Sequence, residues 1–257
     1  MTDEEIRRQV HINGKNFCMI KLTSLIYESK ILVPRRTPEE RERRWIQEIY
    51  RKIQDYIKNG SEGDLNLSGT PIKILPNNLK KVVGSLDLME SKIEDLNSLE
   101  YVYKDLDVRY TPIKRLPNNL KKIEGCLWSD NSHIEDLNNL EYVGRLIDLK
   151  KTPIKKLPDH LKRAEYDLWL EFSEIEDLNN LEYVGGILDL THTPIKRLPN
   201  NLKRIGESLL LRYSHIEDLN NLKYVGGILD LRYTPLSKTT TVKKILSKIH
   251  VTAGVLL

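Results

Sequence analysis

Residues 106–125 read LDVRYTPIKRLPNNLKKIEG, and residues 127–144 read LWSDNSHIEDLNNLEYVG. The same pair recurs through residues 65–236 as a basic half of 21 residues followed by an acidic half of 20. Leu65, Leu106, Ile147, Leu188 and Leu229 open successive copies, each 41 residues after the last. A repeat of about 20 residues with leucines at fixed offsets marks a solenoid, because one coil buries its apolar edge only against its neighbours. Openers at 65, 86, 106, 127, 147, 168, 188, 209 and 229 predict nine coils, the last truncated. Such a fold offers a long exposed surface to a partner and contains no evident reaction centre.

The half-repeat reads L-x-L-x-x-(T/S)-x-(I/L)-x-x-L. It resembles the leucine-rich repeat family, in which each coil carries one short parallel strand. The family's Asn/Cys position is replaced by Thr70, Ser91, Thr111, Ser132, Thr152, Ser173, Thr193, Ser214 and Thr234, a hydroxyl ladder suited to satisfying the adjoining turn backbone. The basic half, TPIKRLPNNL, is similar to short LP-type repeats of bacterial effectors, and the acidic half, IEDLNNLEYV, to internalin-like repeats. The alternation of the two resembles repeat proteins of large bacteriophages. That resemblance implies an α/β leucine-rich repeat solenoid acting on a host protein, with host defence components among the natural targets.

The chain has 257 residues, enough for one extended domain. With 41 basic and 37 acidic residues, its net charge of +4 is too balanced to argue for nucleic acid. MTDEEIRRQV lacks the apolar core of a secretory signal, and no run of residues is apolar enough to span a membrane. Cys18 and Cys126 are the only cysteines, which suggests a reducing cytoplasm rather than disulfide-bonded caps.

Residues 1–62 do not repeat and are expected to form an N-terminal capping region. Thr2 with Glu5 suggests a capping box, Asn13-Gly14 a hairpin turn, and Thr37-Pro38-Glu39-Glu40 the start of a helix over 38–58. The solenoid is assigned to 63–238 and a C-terminal cap to 239–257. In that cap Val242, Ile245, Leu246 and Ile249 predict a helix over 240–250. The apolar tail 251–257 is expected to pack on the last coil or to add a strand. Nine of the eleven prolines lie in the repeats, and none interrupts an L-x-L triplet. Glycines recur where the chain turns into the next strand. Arg163-Ala164-Glu165-Tyr166 lacks one, so an irregularity is expected near 163–167.

Lys73, Lys114, Lys155 and Lys196 hold the position that Glu94, Glu135, Glu176 and Glu217 hold one coil later. Coils about 4.8 Å apart at their strands would set opposite charges side by side. Exposed pairs are individually weak, so register is the expected benefit.

Between and beside the inward leucines, three outward columns stop being copies. Trp128 and Trp169 occupy equivalent places two coils apart, about 9.6 Å at ordinary strand spacing. Tryptophan with neighbouring arginine and tyrosine is the composition of interface hot spots. The expected partner-binding set is Trp128, Trp169, Arg109, Tyr110, Asp130, Asp148, Phe172, His192, Arg212, Tyr213, Arg232 and Tyr233, on a concave face engaging another protein.

No cofactor or metal is expected. His133 and His215 are four coils apart, about 19 Å, and no Cys/His cluster has ligand spacing. Cys126 near His133 is the one pair that hints at nucleophilic chemistry, and Cys126 reads better as a small packed residue. LP-type effectors can carry a separate ubiquitin-ligase domain, for which this sequence leaves no room. A basic segment, including Arg35, Arg36, Arg41, Arg43, Arg44, Arg51 and Lys52, offers an alternative contact with nucleic acid phosphates. An effector with an unrecognised activity is the other alternative.

Overall fold

A computed structural model describes residues 37–257. The expected first helix and the Asn13-Gly14 hairpin lie outside the described residues, as do Arg35 and Arg36. The chain divides into two compact units, 1–43 and 44–257.

The apolar alternation of each L-x-L triplet builds a parallel β-solenoid. Its main sheet has ten strands, Leu65–Asn66, Leu86–Asp87, Leu106–Asp107, Leu127–Trp128, Ile147–Asp148, Leu168–Trp169, Leu188–Asp189, Leu209–Leu210, Ile228–Asp230 and Gly254–Leu256. Every opener pairs with the opener of the next coil, Leu65 with Leu86 and Leu127 with Ile147 among them. The nine openers are thus separated by eight turns. Leucines at the opener and two residues on are buried, while the residue between them faces outward on most coils. A one-residue slip would expose the whole apolar set, so the pattern fixes the register.

The return limb of each coil forms a second ladder in two pieces. One sheet joins Lys81–Val82, Tyr101–Val102, Lys122–Ile123 and Tyr142–Val143; the other begins at Arg163–Ala164 and runs to His250–Val251. The break falls at the irregularity the missing glycine predicts.

Two further sets of polar side chains recur along the solenoid, one closing a turn within a coil and the other tying a coil to the one before. Thr70, Thr111, Thr152, Ser173, Thr193 and Thr234 each donate their hydroxyl to the carbonyl three residues earlier, at 2.6–2.7 Å. Asn97, Asn138, Asn179 and Asn220 are left-handed (φ +47° to +49°) and donate their amides to Leu75, Leu116, Leu157 and Leu198 of the coil before. Asp95, Asp136, Asp177 and Asp218 accept the backbone N–H of those asparagines at 2.7–2.8 Å. The D-L-N element therefore makes a turn and a coil-to-coil tie at once. Of the expected charge pairs, Lys73–Glu94 stands at 2.8 Å and Lys114–Glu135 at 3.3 Å. A second series, Lys80–Glu100, Lys121–Glu141 and Lys162–Glu182, spans 2.8–3.8 Å.

Helix α1 (Pro38–Lys58) opens with reciprocal bonds: Thr37 N–H donates to Glu40 and Glu40 N–H to Thr37, at 3.0 and 3.2 Å. Ile49 and Ile53 belong to the same buried core as Leu65 and Leu67. Tyr50 donates to the Ile74 carbonyl at 2.9 Å and Lys52 to the Asn66 carbonyl at 2.7 Å, so the helix satisfies backbone groups of the first coil.

At the other end the expected helix over 240–250 is shorter. A 3-10 turn (Leu236–Lys238) precedes helix α2, Val242–Leu246 only. His250–Val251 and Gly254–Leu256 instead pair with Tyr224–Val225 and Ile228–Asp230. Unpaired strand edges there offer the chain backbone bonds that a last helical turn cannot match. The tail thus adds a tenth strand.

Candidate binding face

Counting from each opener, the outer face carries columns at the next residue, at three residues on and at four residues on. The first column is mainly acidic for a local reason. The side chains of Asn66, Asp87, Asp107, Asp148, Asp189 and Asp230 accept the backbone N–H two residues on, at 2.9–3.1 Å. That Asx-type bond starts the turn leaving the strand. Trp128, Trp169 and Leu210 stand in this column and have no acceptor to offer, so those coils forgo the bond.

The third column is left-handed at every coil from Gly69 to Tyr233. Glu90, Tyr110, Asn131, Lys151, Phe172, His192, Tyr213 and Tyr233 have φ between +54° and +61°. Glycine or asparagine is the cheap residue in that region, and bulky ones are strained there. Phe172, His192, Tyr213 and Tyr233 nevertheless form a continuous stack, with successive centroids 4.6, 4.5 and 4.6 Å apart and rings within 22° of parallel. Tyr110, Phe172, Tyr213 and Tyr233 remain exposed.

The middle column supplies charge, and Arg109, Lys150 and Arg232 each reach the first-column acid of their own coil. Arg109 forks onto Asp107, with Nη2 at 2.6 Å from the carboxylate, and lies 5.5 Å from the Trp128 ring centre. Lys150 lies 3.3 Å from Asp148 and 4.5 Å from the Trp169 ring centre. Arg232 binds Asp230 at 2.6 Å, and Arg212 lies 4.9 Å from the Tyr213 ring centre and 5.4 Å from that of Tyr233. The guanidinium of Arg232 holds the Asp230 carboxyl below its ordinary range. Burial pushes the Asp148 carboxyl up, against the pull of the Lys150 N–H and ammonium. Glu171 is also raised, by burial and then by the nearby Asp189 carboxylate.

The structure brings the sequence candidates onto one sheet in two groups. Arg109, Asp130 and Asp148 surround Trp128 and Trp169, whose partners in register are both Asp148. Arg212 and Arg232 flank the aromatic stack. Both tryptophans are half-buried, flattened under a cation from the preceding coil, and Asp148 is covered, 2% exposed. Lys150, Glu171 and Asp189 belong to the same face and carry its least balanced charge. Their signal in the sequence is the switch from a cation to Glu171 and Thr191 in the middle column.

Burial, followed by the nearby Asp105 carboxylate, raises the Cys126 thiol, which disfavours a thiolate nucleophile. Among the described residues no three His, Cys, Asp or Glu side chains are grouped to hold a metal ion, and no helix is long and apolar enough to cross a membrane. Recesses of about 520 and 600 Å³ occur beside Asn97 and Pro117 and, two repeats later, beside Asn179 and Pro199. They recur with the scaffold. No known family matches the sequence, and neither does any curated protein.

Proposed function

We propose that this chain is a non-catalytic, leucine-rich-repeat-type solenoid that binds another protein through the outer face of its ten-stranded sheet. Helix α1 and the C-terminal segment serve as its caps. The observation that supports this reading is a contrast between two left-handed columns. Where the position is purely structural, the residue is asparagine in all four copies, Asn97, Asn138, Asn179 and Asn220. Where it faces outward, tyrosine, phenylalanine and histidine replace the cheap residue. Trp128 and Trp169 likewise replace a turn-forming aspartate. Side chains placed against local preference, on an otherwise repetitive scaffold, are there for what they present. Half-exposed tryptophans under cations, beside a ridge of rings, supply the anchors of a protein interface, and the charges around them supply its specificity. The phage-like texture of the repeats favours a host defence protein as the target.

The test is affinity capture from host extract with the parent chain and with the W128A/W169A variant, their folds compared by circular dichroism. A protein retained by the parent and lost from a folded variant supports the reading. Equal retention by both removes the tryptophans from the interface.

A further inference from the structure

We propose, building on the protein-binding reading above, that this face receives a basic segment of its partner and seats a lysine or arginine side chain between Trp169 and His192, over the carboxylates of Glu171 and Asp189. The other acids of the first column each have a partner within the sheet. Asp107 has Arg109 and Asp230 has Arg232 on the same coil, both at 2.6 Å. Asp148 has Lys150 at 3.3 Å, and Asp87 takes the Asn66 amide at 3.1 Å.

Asp189 breaks the rule twice. Its own coil offers Thr191, and the coil before, whose Trp169 is in register with Asp189, offers Glu171, a second carboxylate. Burial, and then the neighbouring Asp189 carboxylate, raise Glu171. Asp148, Glu171 and Asp189 share Lys150, which is already engaged with Asp148 and the Trp169 ring. Negative charge is therefore left over at the centre of the face, on a chain whose net charge is +4.

The surroundings fit a cation. Trp169 stands on one side, and the Phe172–His192 pair, stacked at 4.6 Å, on the other. An ammonium or guanidinium there gains two carboxylates. An acidic segment or a nucleic acid phosphate meets repulsion at the same place.

The probe is a fluorescein-labelled peptide of alternating lysine and glycine, titrated with the full chain at low salt and followed by anisotropy; the glutamate–glycine peptide is the comparison. The lysine peptide is expected to bind and the glutamate peptide not. E171Q/D189N is expected to weaken lysine-peptide binding about tenfold, whereas E135Q/E176Q, an equal charge change on the exposed stripe, changes it less than twofold. Removing like charges leaves the fold intact, as circular dichroism will verify, and E171Q alone serves as a milder variant. Equal weakening by the two double variants, or no binding of the lysine peptide, overturns the proposal. Captured host protein distinguishes this failure from the broader one: loss with W128A/W169A but full retention with E171Q/D189N keeps the protein-binding reading and discards the basic segment.

Discussion

Arg145 and Tyr166 hold the same place on adjacent coils, where among the described residues every other neighbouring pair includes a glycine. Down that ladder Lys104 N–H reaches the Gly84 carbonyl, Gly125 that of Lys104 and Arg145 that of Gly125, each at 3.0–3.1 Å. The ladder resumes with Gly186 to Tyr166 at 3.1 Å. Between Arg145 and Tyr166 the return-limb sheet parts. A Cβ at Gly125 would lie 2.6 Å from the Lys104 carbonyl carbon, and one at Gly186 would lie 3.0 Å from that of Tyr166. Two side-chain-bearing residues in succession therefore cannot close the limb. Tyr166→Gly is expected to join the two return-limb sheets and slow amide exchange at residues 165 and 166 by about tenfold or more. Its thermal midpoint changes little, since Tyr166 is 59% exposed. Unchanged exchange would place the cause of the break elsewhere. Gly125→Tyr is expected to open a second break and to destabilise by about 1–3 kcal/mol.

Trp128→Asn and Trp169→Asn restore an acceptor for the backbone N–H groups of Asp130 and Glu171. Each gains a turn bond of about 0.5–1.5 kcal/mol and loses a ring half-covered by Arg109 or Lys150, a contact of about 0.5–1 kcal/mol. Chemical denaturation is expected to show a change within about 1 kcal/mol per site, while capture of the protein partner disappears. A loss of more than about 3 kcal/mol would make the rings members of the core rather than the interface.

The left-handed column separates strain from stacking. Tyr110 (φ +55°, 53% exposed) is outside the four-ring stack, so Tyr110→Gly relieves the backbone and is expected to stabilise by a few tenths to about 1 kcal/mol. His192 has the same conformation but stacks on both Phe172 and Tyr213. His192→Gly forfeits two ring contacts of about 0.5–1.5 kcal/mol each and is expected to destabilise. Midpoints that move in the same direction for both would dismiss the stack as a source of stability.

The leucine spacing settles the coils, their register and the inward set, because a period with one buried edge admits one arrangement. It also places Trp128, Trp169 and the ring column on one face. Three features escape a reading by spacing. Asn97 and its copies look like ordinary turn residues, and only coordinates show the amide reaching the coil before. Asp148 looks like an outward residue by alternation, and Lys150 covers it. The pattern from Val242 to Ile249 suits a helix, and the free edge at Tyr224–Val225 draws its end into a strand.

Glu171 and Asp230 should give opposite pH signatures. Glu171 is faced by Asp189, Lys150 and Asp148, and its folded value is raised. A raised carboxyl contributes stability that is fully present below its unfolded value and is lost as pH rises through the folded one. Glu171→Gln is therefore expected to raise the thermal midpoint at pH 7 and to leave it unchanged at acid pH, where the parent carboxyl is already protonated. Asp230 is depressed by Arg232, so its contribution is present above the ordinary carboxylate range and lost as pH falls through the lowered value. Asp230→Asn should lower the midpoint at pH 7, with the difference shrinking in acid. Differential scanning fluorimetry from pH 3 to 8 reads both at once. Curves for E171Q and D230N that run parallel across that range would show that Glu171 carries no excess charge, and the basic-segment docking proposed above would lose its electrostatic ground.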